Sequence, residues 1–132
     1  MSMEQGDAGM GFELLAASLR ADAGDTGAFL NALAVKLAGA LPQRVQVERG
    51  GGLFSHQHPV RSLSVNLGDW VYLLAQDGIG GLSASRTHAV RGIALKSEPL
   101  DLDEWLDDLA AELATLAQHS AQDHAALQRL LG

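Results

Sequence analysis

The chain contains no cysteine. That excludes disulfides, thiolate metal sites and a thiol nucleophile, and it suits a reducing compartment. Aromatic residues are also scarce, at 5% against 47% hydrophobic. A core must therefore be built mainly from Leu, Val and Ala. No apolar run approaches the ~20 residues that a membrane-spanning helix needs. Residues 1–11 have neither a basic flank nor an apolar stretch, so they do not read as a signal peptide. These absences predict a cytoplasmic protein with no direct membrane insertion. Two catalytic signatures are missing as well. There is no Gly-Lys-Ser/Thr to cradle a pyrophosphate and no Gly-x-Ser-x-Gly to present a serine nucleophile.

Positive charge is the scarcer sign, with nine bases against sixteen acids and a net charge of −7. It is unevenly spread. Residues 1–42 carry five acids and two bases, residues 43–98 six bases and four acids, and residues 101–132 seven acids and one base. An acidic helical part is thus set against a mildly basic middle. Nucleic-acid binding needs several cationic contacts to phosphate, and this balance argues against it.

The 132 residues suit one domain with a core of its own. Residues 1–11 read as a flexible N-terminal tail, and residues 12–132 as a single domain. Residues 12–21 predict a short helix with Phe12, Leu15 and Leu19 on one side. Asp25 or Thr26 can cap a second helix running to about Ala40. Its apolar positions Phe29, Leu30, Leu33, Leu37 and Leu41 recur at helical spacing. The period then falls to two. Residues 44–49 alternate, as do residues 61–67 with Leu63, Val65 and Leu67 inward. Gly68-Asp69 suits a two-residue hairpin turn that wants glycine first. Residues 70–76, 82–89 and 93–96 continue the meander, with Arg91-Gly92 as a bulge or kink and Pro99 as a stop.

A strongly marked helix follows. Asp101 with Glu104 forms a capping box, and Leu100 with Trp105 occupies the staple positions. Leu106, Leu109, Leu113 and Leu116 make its apolar seam. A continuous helix over residues 102–130 would be roughly 43 Å long at ~1.5 Å per residue. A domain of this size has a radius of gyration of about 14 Å. Either the helix breaks near Ser120 or residues 119–132 project. The expected fold class is α+β: two N-terminal helices, a four- to five-stranded antiparallel meander and a long C-terminal helix, with the helices on one face of the sheet.

Few residues suggest chemistry. His56 and His58, two apart in a loop, can share a metal ion. A zinc site needs at least a third ligand, from His88, Asp69 or Glu48, and solvent-exposed loop histidines are the plainer reading. Gly50-Gly51-Gly52 follows a strand but leads to no helix N-terminus, so it reads as a hairpin loop. Leu53 and Phe54 at its tip either fold back or are offered to a partner. The acids Asp101, Asp103, Glu104, Asp107, Asp108 and Glu112 serve a helix start and a solvated face. Ser62, Ser64 and Asn66 line one strand and Ser83, Ser85 and Thr87 another. With Arg44, Arg61, Arg86 and Arg91 they suggest a polar, mildly basic open sheet surface. It suits an exposed antiparallel face or the docking of an acidic helix.

Three segments, residues 47–54, 67–73 and 90–106, together resemble a small uncharacterised bacterial protein family, and the Ala-, Leu-, Gly- and Asp-rich composition resembles that of high-GC bacteria. The resemblance spans most of the chain after Gly11 and implies no activity, cofactor or catalytic residue. The helix–meander–helix order is also similar to small secretion-chaperone-like domains. The expected function is a non-enzymatic protein-interaction or oligomerisation module, adaptor- or chaperone-like, binding itself as a homodimer or another protein. Leu53, Phe54, Leu127, Leu130 and Leu131 are its candidate contact residues. The alternative is a small-ligand or metal-binding protein using the His56/His58 loop.

Overall fold

Asp25 is an extended residue whose carboxylate accepts from the Ala28 amide at 2.7 Å, and this cap sets the start of the second helix. In the computed structural model, residues 7–22, 25–50, 59–77, 81–119, 125 and 128–131 are described. The elements run α1 (Asp7–Asp22), α2 (Thr26–Ala40), β1 (Val45–Arg49), β2 (Val60–Leu67), β3 (Trp70–Gln76), β4 (Leu82–Val90), β5 (Ile93–Leu100) and α3 (Leu102–His119). Residues 128–131 are again helical. The strands form one sheet in the order β1-β2-β3-β4-β5, every pair antiparallel. The α+β meander with helices on one face is the architecture of this chain.

Alternation decides which face is covered. Leu63, Val65 and Leu67 on β2, Tyr72 and Leu74 on β3 and Ala84 on β4 are buried, and cross-strand register places them side by side. The α2 residues Phe29, Leu30, Leu33, Ala34 and Leu37 close over β1, β2 and β3. The α3 residues Trp105, Leu106, Leu109 and Leu113 are buried in the same core, with α3 lying on β4 and β2. Helix α1 packs on α3 and α2 through Phe12 and Ala16.

Several boundaries differ from expectation. The first helix begins at Asp7, so residues 7–11 belong to it and not to a tail. Proline does not end the sheet: Pro99 lies within β5, opposite Ser85. A proline has no amide to give a neighbouring strand, and an edge strand leaves such groups unpaired anyway. Arg91-Gly92 is the β4–β5 hairpin turn itself, with φ of 54° and 80°. Two positive φ values are what a type I′ turn demands. The register irregularity sits further back, after His88, where Leu95 is the extra residue on β5. At Gly68-Asp69 only glycine has a positive φ, at 66°, which fits a turn with glycine first.

Residues 128–131 lie against the body of the domain. Leu130 is 5% exposed and belongs to the core cluster, and it lines a small recess with Val35, Gly39 and Ala40 of α2. Leu131 lies so close to Gly11 that a Cβ there would stand 2.7 Å from its Cδ1. Leu130 is satisfied within its own chain and is not offered to a partner. Leu127 lies outside the described residues.

Arg91 bears the cost of a left-handed backbone, about 1–2 kcal/mol for a residue with a Cβ. Asparagine tolerates that conformation and favours the type I′ turn before glycine. Arg91→Asn is expected to raise the urea midpoint by an amount equivalent to about 1 kcal/mol at unchanged slope. An unchanged or lower midpoint would mean that the turn is not strained at this residue.

Candidate protein-binding surface

The face away from the helices is built from the residues that alternate with the core. Its middle rung reads Gln46–Ser64–Leu73–Ser85–Pro99 across the five strands. One neighbouring rung is Glu48–Ser62–Ala75–Ser83, and the other is Asn66–Val71–Thr87–Ser97. Among these thirteen positions Glu48 alone is ionisable, and Ser62 Oγ donates to its carboxylate at 3.0 Å. Thr87 and Ser97 share a hydroxyl–hydroxyl bond of 2.6 Å. Leu73, 36% exposed, stands midway along the central strand. The surface is flat, neutral and hydroxyl-rich, with a short apolar ridge of Val71, Leu73 and Ala75 down its middle.

Its three middle strands carry no cation in these rungs, so the arginines named from the sequence do not stand at its centre. Arg86 pairs with Tyr72 and so belongs to the covered face. There its Nε donates to Glu98 at 2.6 Å and its Nη1 to Asp108 at 2.9 Å, while its guanidinium lies 4.5 Å from the Trp70 ring centroid. Its neighbouring carboxylates, Glu98 foremost, hold Arg86 still more firmly protonated than usual. Arg91 sits in the hairpin turn, and Arg61 lies along Gly50 at the sheet's end. Arg44 precedes β1. Of these four cations, Arg86 and Arg91 stand off the face, while Arg44 and Arg61 border it at its margins.

The acids of α3 are likewise engaged with their own chain. The Asp101 amide reaches Glu104 Oε1 at 3.4 Å, the reach-back half of the capping box. Asp103 pairs with Arg20 of α1 at 2.7 Å, and Asp108 with Arg86. Tyr72, buried in this region, has its phenol pushed up in pKa, chiefly by burial and then by Glu112, so it stays neutral.

The metal reading draws little from the arrangement. His56, His58, Leu53 and Phe54 lie outside the described residues. Of the suggested third ligands, Glu48 stands near Gly50 and Pro59, which are joined by a 2.9 Å backbone bond. His88 does not. It opposes Trp70 at the far end of the sheet, about 20 Å along β4 from Leu82 at ~3.3 Å per residue. Asp69 is at that far end too. Among the described residues no three His, Asp or Glu side chains gather for a metal. A depression of about 520 Å³ at the near end is lined by Arg49, Arg61, Glu48, Ser62, Ala75 and Gln76. Its Gln76 amide already donates to Val60 O.

The chain matches no protein-family model, no curated protein sequence and no solved structure. Its geometry is therefore the guide to its role. The serine rows marked this face in the sequence, but its centre on β3 was not legible because both parities of β3 are apolar. Trp70, Tyr72 and Leu74 look no more inward than Val71, Leu73 and Ala75. Only the serines paired with the second set reveal which face is open.

One charge contact opposes the fold. Glu13 of α1 lies beside Asp107 of α3, and carboxyl–carboxyl hydrogen bonding, then burial, then repulsion raises the Glu13 pKa above its usual value. A raised carboxyl favours the folded state most below the unfolded pKa, and that contribution is lost as pH rises through the folded value. Glu13→Gln keeps a donor toward Asp107 without a charge. It is expected to raise the melting temperature at neutral pH and to flatten its decline between acid and neutral pH. Equal slopes for the variant and the parent in thermal melts would refute this.

Proposed function

We propose that this chain is a non-enzymatic protein-interaction module, adaptor-like, that binds a protein through the open face of its sheet. The partner is a second copy or another protein. One observation carries the reading: five strands are covered by helices on one side only, and the other side offers a neutral plane. Protein interfaces are depleted of charge at their centre and are polar at the rim. Here Leu73 and Val71 stand at the centre and hydroxyls surround them. Burying such a surface strips water from few ions, which keeps the desolvation cost low. Small hydroxyl side chains also lose less rotamer freedom than the long charged ones common on protein surfaces.

Three other apolar sites compete for the role, one of them Val35 on α2, which stands singly. Ile93 and Leu95 on β5 are 64% and 61% exposed. Leu14 on α1 is also exposed, but it stands singly, and isolated surface leucines are ordinary. A photo-crosslinking residue placed at position 64 in cells is expected to yield discrete protein adducts, and the same residue at position 14 none. Matching patterns from both positions would remove the open face from consideration.

A further inference from the structure

We infer that the occupant of the open face is a second copy of this chain, stacked face to face about a two-fold axis near Leu73. This rests on the proposed function and commits it to one partner. In a two-fold contact each residue meets itself or its symmetry mate, so a surface must first tolerate its own charge. This chain, at −7, tolerates itself poorly almost everywhere. The outer side of α3 carries exposed Asp103, Glu104 and Asp107. Two such surfaces brought together would repel. The open face keeps its charges at its margins, with Glu48 and Arg44 both on the β1 side and Glu48 already bonded to Ser62. It can meet its own copy without a like-charge penalty at the centre.

The area is sufficient for a reversible contact. Five strands at ~4.8 Å and seven residues at ~3.3 Å give a plane of roughly 550 Å². Two such planes bury about 1,100 Å², just above the ~1,000 Å² at which specific interfaces begin. That size predicts a dimer that dissociates on dilution. The centre of the plane is also its apolar point. Strand β3 is the middle strand, and Leu73 is the fourth of its seven residues. A two-fold axis through the centre of the face therefore brings Leu73 against Leu73 of the copy, with Ser64 and Ser85 flanking it across the strands. Strand addition at β5 is the less suited route. That edge carries Lys96, Pro99 and a bulge, all features that resist pairing.

Sedimentation equilibrium tests the inference on the full chain. The expected weight-average mass rises with concentration from 13.9 kDa toward twice that value. Leu73→Lys and Ser64→Lys each place like charges across the axis and are expected to weaken association by at least about tenfold. Both side chains point away from the core, so helical and strand content by circular dichroism should be unchanged. Ile93→Lys, at the β4–β5 hairpin, should leave the dimer intact. Should Leu73→Lys alone disturb the fold, Ser64→Lys still reads the face. A parent that stays monomeric at every concentration overturns the second copy as occupant, while crosslinks from position 64 to a different protein would leave the interaction module standing. A dimer that survives both lysines, or is lost only with Ile93→Lys, overturns the placement.

Discussion

The attachment of α3 to the sheet governs this structure, and Trp105 with Arg86 makes it. Trp105 is fully buried, and its Nε1 donates to the Ser85 carbonyl at 3.1 Å. Its ring meets Tyr72 edge-on, with centroids 6.2 Å apart. The bond ties the helix to the backbone of β4, while the ring fills the space between helix and strand. Arg86 adds the polar half. It lies against Trp70, which is also stacked with His88 at 4.7 Å, and it joins β4 to β5 through Glu98 and to α3 through Asp108. The pair is only partly exposed, so its geometry counts for more than that of Arg20 with Asp103, where one partner is almost fully solvated.

This attachment makes the protein one-sided. Two helices already span the covered face, α2 over β1 to β3 and α3 over β4, and α1 lies against them. Every acid of α3 then stays on the helical side, where Arg20 and Arg86 partly balance it. The opposite face is left with short side chains and almost no charge. Charge segregation seen along the sequence thus becomes segregation between two faces. The middle of the chain is mildly basic on paper, yet its cations are placed at strand ends, in a turn, on the outer strand β5 or under a helix.

How much of this was legible depends on whether a feature is local. Asp25 as a cap, Gly68 at a turn and the Asp101–Glu104 reach-back all follow from residues within a few positions of each other, and each stands as read. The inward set Leu63, Val65 and Leu67 was equally plain, since serines and Asn66 alternate with it. Arg86 could have been placed as well. It differs in parity from Ser83, Ser85 and Thr87, so it never shared their face. Pro99 misled because a proline ends a central strand but not an outer one, and nothing local says which strand is outermost. Leu130 misled because helix length alone says nothing about where a chain end finds cover. The proposed interaction surface was half legible: its serines were noted, but its centre at Leu73 depends on register across three strands.

The treatment of the two kinds of unpartnered surface differs, and the difference bears on function. A sheet edge invites uncontrolled pairing, and native chains blunt it with lysine, proline, bulges or short strands. Both edges here are treated in that way. Strand β1 has only five residues and a register shift between Glu48 and Arg49, and β5 carries Lys96, a bulge and Pro99. The open face receives no such treatment. Its nine positions on β2, β3 and β4 include no lysine or arginine, although one at Ser64 or Ser85 would cost the fold little, since both side chains lie outside the core. A face that only had to remain solvated would tolerate charges scattered over it. One kept neutral beside two guarded edges has the chemistry of a surface meant to be covered.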